Sequence, residues 1–177
     1  MARIREEIEI EAPLERVWAV VHEDLANVPK WSRNIDAVEM LNGDVPGRGS
    51  QIRYDVKLPG GRIVALEFEQ STFQKPKRCA GRFINGPLRG TWAYAYRETD
   101  GATHMLFEAD YELGGVLRFL GGMFHSQYAA GVRDNMHSLK RYIESGKGPK
   151  PGGKPAAGAR SSTTRRTKKA GASERPG

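Results

Sequence analysis

The sequence predicts an α+β domain in which a curved seven-stranded antiparallel sheet wraps one long C-terminal helix, with two short helices between the first and second strands. Three observations carry that prediction. An alternating run at the N-terminus gives way to a helical spacing, six further strand-like runs are separated by tight turns, and apolar residues recur at three and four near the C-terminal end.

The first strand spans Arg3 to Glu11, where Ile4, Ile8 and Ile10 sit between charged neighbours until Ala12-Pro13 ends the run. The stretch LERVWAVVHEDLANV then reads as one amphipathic helix. Its apolar stripe is Val17, Trp18, Val21 and Leu25, and Glu15, Arg16, Glu23 and Asp24 take the other side. Pro13 suits a first helical turn, Pro29 ends or redirects the helix, and a second short turn is expected around Trp31 to Asn34.

Six runs follow: Ala37 to Leu41, Gln51 to Leu58, Arg62 to Gln70, Arg78 to Ile84, Leu88 to Arg97 and Thr103 to Leu113. Turn residues punctuate them, among them Asn42-Gly43-Asp44, Pro59-Gly60-Gly61 and Asp100-Gly101, and gaps this short make neighbours antiparallel, hence a meander. From Val116 the spacing is helical again through Leu120, Phe124, Tyr128, Val132, Met136, Leu139 and Ile143. A helix of about 28 residues would span roughly 40 Å, enough to cross the sheet. The pairs Gly114-Gly115 and Gly121-Gly122 weaken its beginning.

Composition divides the chain of 177 residues into a domain over 1–145 and a tail over 146–177. From Gly146 onward there is no aromatic, Leu, Ile, Val or Met to build a core, so the tail is expected to be disordered. It holds nine Lys and Arg against Glu174 alone; with +7 for the whole chain, the body comes to about −1. The high pI therefore belongs to the tail, and the body lacks the basic face that a nucleic-acid-reading domain carries. Cys79 stands alone, which excludes an internal disulfide and a cysteine-rich metal site. His22, His104, His125 and His137 show no metal-ligand spacing, and neither Ser50 nor Ser126 lies in a G-x-S-x-G elbow. No stretch approaches a membrane span and the N-terminus is charged, so a cytoplasmic protein without metal or cofactor is expected.

The order strand, two short helices, six strands and a long helix resembles the START-like, or SRPBCC, helix-grip superfamily, which includes polyketide cyclase/dehydrase and coenzyme Q-binding-like proteins. The opening IEIEAPLERVWAVVHEDLANVPKWSRNI is similar to the start of that pattern, with Trp18 and Trp31 at its tryptophan positions. MLFEADYELGG and NMHSLKRYIE resemble its last strand and the end of its grip helix. The likeness covers about residues 4–145 and leaves the tail without a counterpart. It implies a cavity for an apolar or aromatic ligand, and leaves open whether the ligand is bound, carried or transformed.

Strand parity assigns the lining. Met105, Phe107, Ala109, Tyr111 and Leu113 share one face, as do Ile52, Tyr54, Val56 and Leu58, then Val64, Leu66 and Phe68, then Trp92, Tyr94 and Tyr96. The ligand-cavity candidates are Trp31, Tyr54, Phe68, Trp92, Tyr94, Phe107, Tyr111, Phe124 and Tyr128. For any one of them core packing is the first reading and ligand contact the second, but several tyrosine hydroxyls directed to one interior need partners, which favours ligand contact for two or three. Arg82, on the strand face opposite Cys79, Gly81 and Phe83, reads first as solvent-exposed, and is otherwise the candidate polar anchor for a carboxylate or phosphate of the ligand. Cys79 reads as a small buried hydrophobe, and Phe119, Met123 and Phe124 as residues able to crowd the pocket mouth.

Three functions fit. The first is binding or carriage of a hydrophobic or aromatic small molecule (lipid, polyketide or quinone-like). The second is an aromatase/cyclase- or dehydratase-like enzyme, which needs no sequence motif if a tyrosine or histidine moves the proton. The third is association of the basic tail with an anionic membrane or nucleic acid.

Overall fold

The computed structural model describes residues 1–58, 60–115, 119 and 121–149. The chain opens with strand β1 (Ala2–Ile10), then helix α1 (Leu14–Trp18), a π-helical turn (Ala19–Glu23), a 3-10 turn (Leu25–Asn27) and helix α2 (Val28–Trp31). Six strands follow: β2 (Ile35–Met40), β3 (Gln51–Lys57), β4 (Ile63–Gln74), β5 (Arg78–Asn85), β6 (Leu88–Thr99) and β7 (Ala102–Leu113). Helix α3 (Gly121–Glu144) completes the domain. The strands form one curled antiparallel sheet in the order β1-β7-β6-β5-β4-β3-β2, a meander closed at one side by β1. This is the predicted α+β architecture.

Alternation places the core. Ile4 and Ile10 of β1 are buried between exposed Arg3, Arg5, Glu7 and Glu9, and on β7 Met105, Phe107, Ala109 and Tyr111 are buried. Helix α3 lies across this side of the sheet with Met136, Leu139 and Ile143 buried. Polar clasps fix its register: Arg133 donates to the Glu6 carboxylate at 2.6 and 3.1 Å, and Lys140 donates to the Glu9 carbonyl at 2.7 Å.

The helix ends on a Schellman motif. Gly146 takes φ +80°, its N–H reaches the Ile143 carbonyl at 3.0 Å, and the Lys147 N–H reaches that of Tyr142 at 3.3 Å. Arg16 of α1 donates to the carbonyls of Ile143 and Lys147, tying this end to the N-terminal helix. Residues 146–149 thus continue from the helix along the body. Residues 150–177, most of the expected disordered tail, lie outside the described ones, as do residues 116–118 and 120 at the expected start of the long helix.

Three local expectations are corrected. The single amphipathic helix of residues 14–28 is instead a short α-helix that widens into a π turn, closed by Asp24 N–H to Ala19 carbonyl at 2.9 Å, and then breaks at Asp24. Widening buries Val20, Val21 and His22 in succession, which a 3.6-residue period cannot do. Asp24, expected on the solvent side, is buried because its carboxylate accepts two hydrogen bonds from the Asn27 amide, at 2.8 and 3.0 Å. Pro29 lies in the first turn of α2 (Val28–Trp31), where the chain sets off in a new helix, in keeping with the redirection expected there. Finally, β4 runs on to Gln74 through a bulge between Gln70 and Thr72, and that extra residue turns Phe73 inward against Trp18.

Candidate functional site

Between the concave sheet, helix α3 and the α1–α2 segment lies a cavity of about 590 Å³. It sits toward the β3–β4 side, where Tyr54, Val56, Val64, Leu66 and Phe68 are only half-buried although they share the inward parity of their strands. Across the space α3 presents Phe124, Tyr128 and Val132. One glycine shapes the floor: a Cβ on Gly81 of β5 would lie 2.0 Å from the Glu69 carbonyl oxygen and 2.8 Å from the Trp92 ring. A bare backbone there lets β4 and β5 close and lets the indole of Trp92 lie over the sheet.

The mouth is identifiable from its exposed residues. Arg33, Lys57, Gln127, Ala130 and Asp134 are exposed and border the cavity where the α2–β2 loop, the end of β3 and the middle of α3 meet. Those pieces are linked. The Lys57 N–H donates to the Asn34 carbonyl at 2.7 Å, and the Ser32 hydroxyl lies 3.0 Å from Asn34 Oδ1 and 2.9 Å from Asn135 Oδ1 of α3.

At the opposite, deep end lies His22, delivered inward by the π turn and only 4% exposed. Its Nε2 is 2.7 Å from the Tyr96 hydroxyl, and its ring packs against Trp18, Tyr94 and Phe73 at centroid distances of 4.5, 5.4 and 6.3 Å. Burial pushes its pKa down to about 3, so the imidazole is neutral at ordinary pH. Burial likewise raises the hydroxyls of Tyr54, Tyr94, Tyr96 and Tyr128 above the usual tyrosine range, so they act as neutral donors and acceptors. The Cys79 thiol, buried beside Tyr94, is pushed up to about 12 and stays protonated.

Aromatic contacts connect the wall from β3 to β7. Tyr54 meets Phe68 edge-on at 5.0 Å, Phe68 meets Trp92 at 5.2 Å, Trp92 meets Tyr94 at 6.1 Å, and Tyr94 packs on Phe107 at 4.8 Å. Polar atoms within this apolar wall stand alone. The indole nitrogens of Trp31 and Trp92 and the Gln70 Oε1 are buried with no hydrogen-bond partner among the described residues.

Of the nine aromatic residues predicted from sequence, Trp31, Tyr54, Phe68, Trp92, Tyr94, Phe107, Phe124 and Tyr128 border the cavity. Tyr111 does not. It shares the inward parity, but its hydroxyl is engaged by His125 Nδ1 at 2.9 Å and its ring lies edge-on to Tyr128 at 5.2 Å, which fixes it under the start of α3. Arg82 is placed on the outer face, 3.3 Å from the Glu69 carboxylate, because Cys79, Gly81 and Phe83 take the inward positions of β5. It is not a polar anchor inside the cavity. Phe119 and Met123 are 77% and 59% exposed and do not line the cavity, whereas Phe124 does. Among the lining residues that the sequence-derived set lacks are the buried polar side chains His22 and Gln70.

Among the described residues no three His, Cys, Asp or Glu side chains converge as metal ligands, and no helix is long and apolar enough to cross a membrane.

A curled sheet gripping a long helix over an apolar cavity defines a class of proteins that enclose lipophilic small molecules. The chain belongs to the polyketide cyclase/dehydrase and lipid transport family, whose model matches residues 1–144. No protein of curated function matches it. Solved structures share its fold. The protein TTHA0849 from Thermus thermophilus has a TM-score of 0.71 at 17% identity, covering 83% of this chain and all of its own. A START superfamily protein from Mycobacterium smegmatis has a TM-score of 0.68 at 16% identity, covering 81% and 97%. The Zhui aromatase/cyclase from Streptomyces sp. R1128 has a TM-score of 0.65 at 14% identity, covering 84% and 99%. Membership supports hydrophobic ligand binding in general terms. The family match stops short of the tail, and the expectation of a membrane or nucleic-acid partner for it gains no support.

Proposed function

We propose that this protein binds and carries a hydrophobic or aromatic small molecule in the cavity between its sheet and α3. The observation that carries the reading is the 590 Å³ space itself, walled by aromatic and aliphatic side chains that stay half-buried where a filled core would bury them. A volume of this order suits a lipid, polyketide or quinone-like molecule, with apolar burial supplying affinity.

An aromatase/cyclase- or dehydratase-like enzyme is the second reading, and His22 is the observation in its favour. A histidine hydrogen-bonded to a tyrosine beside a cavity can take and return a proton. Its strongly lowered pKa weighs against this, since a base that far below neutrality accepts a proton poorly. Carriage therefore stands as the better supported function.

The test is native mass spectrometry of the protein purified from its own host, followed by solvent extraction and identification of what is released. Carriage predicts a stoichiometric lipophile. Protein that is empty as isolated, and that takes up no aromatic probe when one is added, would contradict it.

A further inference from the structure

The polar groups of the cavity are sorted by depth. Charged side chains border it at Arg33, Lys57 and Asp134 alone among the described residues, and all three are exposed at the mouth. The deep end holds neutral groups: His22, Tyr94 and, just behind them, Tyr96.

Tyr94 is the centre of this set. The hydroxyls of Tyr54, Tyr96 and Tyr128 all lie close enough to interact with it electrostatically, and its ring stacks parallel to Tyr96 at 6.3 Å. Tyr96 is held by His22, whereas the hydroxyls of Tyr54, Tyr94 and Tyr128 have no hydrogen-bond partner among the described residues. Beside them Gln70, 2% exposed, keeps an amide oxygen without a partner. Hydroxyls that line a cavity and a buried amide oxygen left this way are normally completed by a ligand or water.

Resting on the carrier reading above, we infer that Tyr94, with Tyr54, Tyr128 and His22 around it, forms an inner hydrogen-bonding subsite for the uncharged oxygen of a phenol, alcohol or ketone. The apolar body of the ligand then lies along Leu66, Phe68 and Val132 toward the mouth. A hydroxyl can donate to a carbonyl oxygen and accept from a phenol, so tyrosines suit either head. A carboxylate or phosphate would be carried past Arg33 and Lys57 at the mouth into a deep end where no described lining residue carries a balancing charge, which disfavours anionic heads.

Three fluorescent probes of one skeleton test this: pyrene, 1-hydroxypyrene and 1-pyrenecarboxylate, titrated into the full chain at neutral pH. The expected order is 1-hydroxypyrene about tenfold tighter than pyrene, the increment of one well-made hydrogen bond, with the carboxylate weakest. In Tyr94→Phe the ratio of 1-hydroxypyrene to pyrene affinity should fall to about one, with a wild-type circular dichroism spectrum reporting that the variant is folded. Binding of none of the three would overturn the cavity reading and the subsite with it. Pyrene binding accompanied by equal or tighter carboxylate binding, or by an undiminished hydroxyl preference in Tyr94→Phe, would overturn the subsite alone.

Discussion

The two halves of helix α3 meet the same sheet in different ways. Toward its C-terminus Ile143 is fully buried outside the cavity lining, and Met136 and Leu139 are buried even where they border it, in one core with Ile4 and Ile10 of β1 and Met105 and Ala109 of β7. Toward its N-terminus Phe124, Tyr128 and Val132 are half-buried, and so are Tyr54, Val56, Val64, Leu66 and Phe68 across the cavity. One amphipathic stripe thus runs from a filled core into a cavity wall. The difference lies in what stands opposite: the closely paired β1–β7 edge, clasped by Glu6 and Glu9, against the far wall of a curled sheet. Apolar periodicity marks which face is inside, and sheet curvature decides whether that inside is full.

Truncations at the two ends should separate core from wall. Ile143→Ala, in the filled half, is expected to cost about 2–5 kcal/mol in urea denaturation, because lost burial and a new cavity add. Val132→Ala, on the wall, should cost under about 1 kcal/mol, since little packing is lost and alanine favours the helix. Equal losses would mean that the wall is packed like the core.

The floor gives a further contrast. Gly81→Ala sets a methyl against the backbone carbonyl of Glu69, which cannot swing aside as a side chain can. A loss of about 2–3 kcal/mol is expected, with weaker probe binding as β4 and Trp92 shift.

The deep end responds to pH. His22 titrates at about 3 in the folded protein, whereas an unfolded histidine takes up its proton near about 6.5. The stabilisation from keeping it neutral is full above that unfolded value and is lost as pH falls toward 3, at about 1.4 kcal/mol per pH unit. Between pH 7 and pH 5 the chain should lose about 2 kcal/mol in denaturation experiments, and His22→Gln should flatten that slope. An unchanged slope would remove His22 as its source.

Much of this molecule was legible from residue order alone. Alternation separated Met105, Phe107 and Ala109 from His104, Glu108 and Asp110, and turn residues set off all seven strands, so fold and most of the wall followed. What escaped depends on departures from regular periods. The π turn rotates His22 inward, and the Gln70–Thr72 bulge reverses the alternation before Phe73; one extra residue in either place leaves no mark in composition. Tyr111 escaped for another reason: parity gives a side chain its face, but a partner such as His125 decides where on that face its hydroxyl ends.

The central claim is that the β3–β4 side of the domain is a site and not merely loose packing. The direct measurement is a fluorescence titration of pyrene against the wild-type chain and Leu66→Trp, whose indole would occupy the space without lengthening the strand. The account predicts saturable one-to-one binding that is lost in the variant while its denaturation midpoint hardly moves. Undiminished binding in Leu66→Trp would contradict it.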